Sequence, residues 1–64
     1  MASSHLEQEA TEAGRSHGWD HANYTNAYGG DLHATPDIPH PFTSVRTYYL
    51  AGYQEGIERY EDDA

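Results

Sequence analysis

The sequence predicts an all-α fold: a small two-helix hairpin with a Pro-rich connector packed over it, open to completion by dimerisation. Three observations carry this. Apolar and aromatic residues recur at three-and-four spacing in two stretches, about 5–27 and about 43–61. Between them stand Gly29-Gly30 and three prolines within six positions, Pro36, Pro39 and Pro41. Glycines also recur four apart inside both helical stretches, where each weakens a helix by roughly 1 kcal/mol relative to Ala. A chain of 64 residues is one domain at most, here read over 1–64.

The first helix opens on Ser4, with Glu7 three residues later in the pattern of a capping box. Leu6, Ala10, Ala13, His17, Ala22, Tyr24 and Tyr28 follow the helical period, and Gly29-Gly30 is its stop signal. Residues 28–42 form the connector, because prolines there forbid helix and favour extended backbone. Leu32, Ile38 and Phe42 within it are expected to fold back as a lid over the helices. Thr43 or Ser44 can cap the second helix, whose Val45, Tyr49, Gly52, Tyr53, Gly56, Ile57 and Tyr60 share one face. Glu61-Asp62-Asp63 places negative charge at that helix's C-terminus, against its dipole, so this end is expected to fray.

Gly14, Gly18 and Ala22 form a column of small residues on the first helix, as Gly52 and Gly56 do on the second. Absent side chains let two backbones approach closely, the device membrane helices use. These five are the expected helix-packing residues. Each column has an aromatic beside it, Gly18-Trp19 and Gly52-Tyr53.

Gly18-Trp19, then Pro41-Phe42, then Tyr49-Leu50-Ala51-Gly52-Tyr53-Gln54-Glu55-Gly56-Ile57-Glu58-Arg59 resembles the layout of ribosome modulation factors and related short bacterial and phage proteins. The resemblance spans roughly residues 14–59. It implies two helices joined by a connector, and binding to the small ribosomal subunit in a stress-type silencing of translation. The chain departs from that family in being acidic where the family is basic, in carrying His40 at the family's cysteine, and in its longer connector.

Charge limits the partners. Eleven Asp and Glu face Arg15, Arg46 and Arg59, there is no Lys, and the formal net charge is −8. Nucleic-acid binding draws its affinity from cations that replace phosphate counterions, so direct contact with DNA or RNA is disfavoured, as are anionic membranes. A basic protein surface is the natural partner. The chain holds no cysteine, no membrane-length apolar run and no signal-peptide pattern at its start, which gives a cytoplasmic expectation. Catalysis is not expected. Ser16 beside His17 is no triad signature, and Asp31 and Asp37 lie on a connector too small to enclose a pocket.

Aromatic residues supply the binding candidates. Leu, Ile, Val and Phe number only seven, against six Tyr and one Trp. Some rings must form the core and the remainder suit an interface. Trp19, Tyr49, Tyr53 and Tyr60 are the expected contact or core rings, with Glu55, Glu58, Glu61, Asp62 and Asp63 as electrostatic contacts to a partner protein. His17 and His21, four apart, could converge on one ion such as zinc, with Asp20, Glu12 or His33 completing the set. The competing reading is two packing histidines and no cofactor. The sequence thus favours a non-enzymatic accessory protein, phage- or stress-type, that binds a larger basic protein or dimerises. A ribosome-associated hibernation-type factor and a His-based metal module are the alternatives.

Overall fold

The computed structural model describes residues 3–63. Its elements are α1 (Ser3–Tyr28), a 3-10 turn (Phe42–Val45) and α2 (Arg46–Asp63). The fold is all-α, with the two helices packed against each other. Among the described residues, no helix is long and apolar enough to cross a membrane.

The described part of α1 begins at Ser3, so Ser4 is inside the helix rather than at its cap. The C-terminus follows the glycine signal. The Gly29 N–H donates to the Thr25 carbonyl at 2.8 Å, and Gly29 and Gly30 take φ of 88° and 128°. A Cβ at Gly29 would meet nothing within 4 Å, so only its left-handed backbone opposes a side chain. Gly29→Ala is therefore expected to lower stability by about 1 kcal/mol, read as a fall of roughly 4–8 °C in a thermal melt.

The second helix begins differently from the expectation. Thr43 and Ser44 lie within the 3-10 turn, the residue flanking that turn is Pro41, and no side chain caps it. The turn runs straight into α2, and its carbonyls precede the helix where a capping oxygen would otherwise be needed. The far end of α2 extends to Asp63.

Register sets the direction of the pair. Gly14 lies against the Tyr49 carbonyl and Gly18 against that of Tyr53; Gly52 lies against the Thr11 carbonyl and Gly56 against that of Arg15. Positions rise together along both helices, so α1 and α2 run parallel. Antiparallel neighbours need a loop of only about 2–5 residues. A parallel pair needs a return path as long as the second helix, about 27 Å for 18 residues. Residues 29–41 can reach about 40 Å when extended, which covers that path with slack for turns.

The slack is visible as local turns. The Asp31 carboxylate accepts from the His33 N–H at 3.0 Å, and the Phe42 N–H donates to the Pro39 carbonyl at 2.8 Å around a cis His40–Pro41 bond. Leu32, Ile38 and Phe42 pack against a core of Ala10, Ala22, Tyr49, Tyr53 and Ile57. Phe42 stacks on Tyr49 with ring centroids 6.1 Å apart. The lid residues thus cover the tyrosines on one flank of the helix pair.

Candidate binding surface

The glycine contacts position every other group. Gly14, Gly18, Ala22, Gly52 and Gly56 are all buried. At each of the four glycines the nearest neighbour is a backbone carbonyl of the other helix, two contacts running each way. With no Cβ present, the glycine Cα–H bonds point at those carbonyls, a weak but recurrent helix–helix contact.

Beside the close approach, side chains of the two helices meet in pairs. On one flank, the Tyr49 hydroxyl hydrogen-bonds His17 Nδ1 at 2.7 Å and the Tyr53 hydroxyl hydrogen-bonds His21 Nδ1 at 2.5 Å. Tyr49 and Tyr53 were candidates for partner contact, but they are 2% and 9% exposed and form the core. Their backbones lie against Gly14 and Gly18, so both tyrosines sit at the helix crossing. Burial raises the pKa of both phenols, with the neighbouring Tyr49 adding to the shift at Tyr53.

The histidines therefore face tyrosines rather than each other. Among the described residues, no group of three or more His, Asp or Glu is placed to hold a metal ion. Sequence reasoning missed the His–Tyr pairing. Its signal was present, since His17 and His21 are four apart, as are Tyr49 and Tyr53.

On the other flank, the Arg15 Nε lies 2.6 Å from Glu55 Oε1 and the Arg59 Nε 3.4 Å from the same oxygen. Glu55, a candidate for a partner's cation, is already engaged by two arginines of its own chain. Its partial exposure limits the ion pair to about 1 kcal/mol or less. Trp19 meets Tyr60 edge to face, centroids 5.0 Å apart and planes at 80°. Trp19 stays exposed and Tyr60 half-buried. Glu58, Glu61, Asp62 and Asp63 are exposed, and none of them is in an ion pair among the described residues. Tyr24 and Tyr28 are the most exposed large hydrophobic side chains among the described residues, at 60% and 78%, and their rings tilt against each other with centroids 4.9 Å apart.

Two shallow grooves border α2. One, of about 390 Å³, runs between Leu32–Pro36 and the α2 residues Leu50, Ile57, Glu58 and Glu61. The other, of about 510 Å³, is lined by Ala22, Thr25, Leu32 and Tyr60, and Glu61 lines it too.

Fold and surface together define a small parallel helix pair with an apolar seam, a return strap and an acidic outer face. No protein-family model matches the chain, and neither the curated proteins nor the solved structures compared with it give a match.

Proposed function

We propose that this is a non-enzymatic accessory protein of the cytosol that binds a basic surface on a larger protein. One observation carries the reading. Two of the three arginines converge on Glu55, while Glu58, Glu61, Asp62 and Asp63 stand exposed along the last two turns of α2. With a net charge of −8, such a face attracts cations at long range and accelerates encounter with a basic partner. The exposed Trp19 and the Tyr24–Tyr28 pair add the aromatic area that interfaces favour.

The resemblance to ribosome modulation factors rests on Gly18-Trp19, Pro41-Phe42 and the segment from Tyr49 to Arg59. Of these, Gly18, Phe42, Tyr49, Gly52, Tyr53, Gly56 and Ile57 pack the helices and their lid. That resemblance supports the scaffold more directly than a ribosomal role, and the acidic outer face favours the protein partner.

The test is capture by the tagged chain from its host, with cross-linking and mass spectrometry at two salt concentrations. The parent is expected to retain a basic protein at low salt and release it near 0.5 M. The quadruple variant Glu58→Gln, Glu61→Gln, Asp62→Asn, Asp63→Asn should retain none. Equal capture by both proteins would sink the reading. Co-sedimentation with small ribosomal subunits at moderate salt would replace it with the hibernation-type alternative.

A further inference from the structure

Within that reading, we propose that the groove between Leu32–Pro36 and α2 is the seat for an arginine side chain of the partner. Its lining combines two chemistries. Leu32, Pro36, Leu50 and Ile57 supply apolar surface, and Glu58 and Glu61 supply carboxylates. His33, Thr35 and Gln54 add polar groups, and neither Arg nor Lys lines it. Among the described residues, Glu58 and Glu61 form no ion pair with the chain's own arginines.

This combination selects its occupant. A purely apolar segment would bring neighbouring backbone close to two carboxylates and desolvate them without compensation. A second copy of the chain carries the same charge of −8. A long cationic side chain matches both parts, with its methylene stem lying on apolar surface and its charged head in water. Glu58 and Glu61 are three apart on one helix, so their Cβ atoms are about 5–6 Å apart and one planar guanidinium can reach both. Lysine, a point donor on a flexible stem, can satisfy only one at a time. The volume of about 390 Å³ is at the small end of ligand clefts, which suits one side chain with its flanking residues rather than a folded element.

The seat can be tested without knowing the partner. The probe is a capped Leu-Arg-Leu-Arg peptide, titrated into the full chain while backbone amide resonances are followed by NMR. Peptides with lysine or with citrulline in place of arginine are the comparisons. Binding should shift amides of residues 32–36 and of Leu50, Gln54, Ile57, Glu58 and Glu61, with arginine tighter than lysine and citrulline silent. The pair Glu58→Gln, Glu61→Gln should weaken binding about tenfold. The pair Asp62→Asn, Asp63→Asn, an equal change in net charge outside the groove, should weaken it less than about threefold.

Equal weakening by both pairs, or by neither, overturns the groove assignment and leaves the basic-partner reading to its own capture experiment. Absence of any shift also overturns it. Shifts of the same groove amides on raising the chain's concentration without peptide would assign the groove to a second copy instead.

Discussion

Replacing Gly56 by alanine is expected to destabilise the protein by about 3 kcal/mol, although the same change in an isolated helix is favourable by roughly 1 kcal/mol. The added Cβ would fall inside the contact distance of the Arg15 carbonyl oxygen and 2.8 Å from the Trp19 backbone N. Both neighbours belong to the main chain of α1, so no side-chain rotation relieves the clash. The helices must separate, which strips the contacts of Gly14, Gly18 and Gly52 as well. A domain of this size has only about 3–10 kcal/mol of stability in total. The thermal midpoint should therefore fall by well over 10 °C. Circular dichroism of the isolated α2 peptide supplies the opposing measurement, with Gly56→Ala raising its helicity while it lowers the melting point of the whole chain. A melting point at or above the parent's would mean the backbones do not touch where these glycines lie.

Tyr49→Ala is the second large effect, about 3–5 kcal/mol. Tyr49 is the largest fully buried side chain, and its ring stacks on Phe42, lies 6.0 Å from Tyr53 and hydrogen-bonds His17. Truncation opens a cavity under the lid and removes the surface on which the connector rests. Tyr49→Phe keeps the ring and loses only the hydroxyl. Because His17 is exposed and can turn to water, that change should cost about 1 kcal/mol.

Comparison of the parent with Tyr49→Phe also gives a pH signature. Burial raises the pKa of Tyr49 and Tyr53 above the usual 10.0, so folding favours the neutral phenols. Their contribution is complete below pH 10 and is lost as pH rises from there through the folded-state values. Denaturant midpoints measured from pH 8 to 12 should stay level and then decline, and Tyr49→Phe should make the decline shallower. A decline of equal slope in both proteins would place the titrating groups elsewhere.

The scaffold was legible because its signals are local. Glycine columns, the Gly29-Gly30 stop and clustered prolines each act through neighbours on the chain, and helix ends read from them lie within a few residues of those observed. Direction was harder. Small residues four apart let backbones meet with either polarity, and the long connector was the only sequence feature that favoured parallel helices. The fates of the rings and acids were not legible. Eight large aromatic rings compete for a few sites, and Tyr49 and Tyr53 go inside where their backbones meet Gly14 and Gly18. Glu55 is neutralised by Arg15, forty positions away, a meeting fixed by helix register alone. Thr43 and Ser44 failed as caps because the chain reaches α2 through a 3-10 turn rather than from extended backbone.

Parallel packing has an electrical consequence. In an antiparallel pair the macrodipoles oppose and nearly cancel, whereas here they add, each leaving about half an elementary charge of negative sign at its C-terminal tip. Both tips lie at the same pole of a body 39 Å long, where Glu61, Asp62 and Asp63 are also grouped. An approaching polycation exerts a torque that swings this pole forward, so the molecule is pre-aimed before any atom touches.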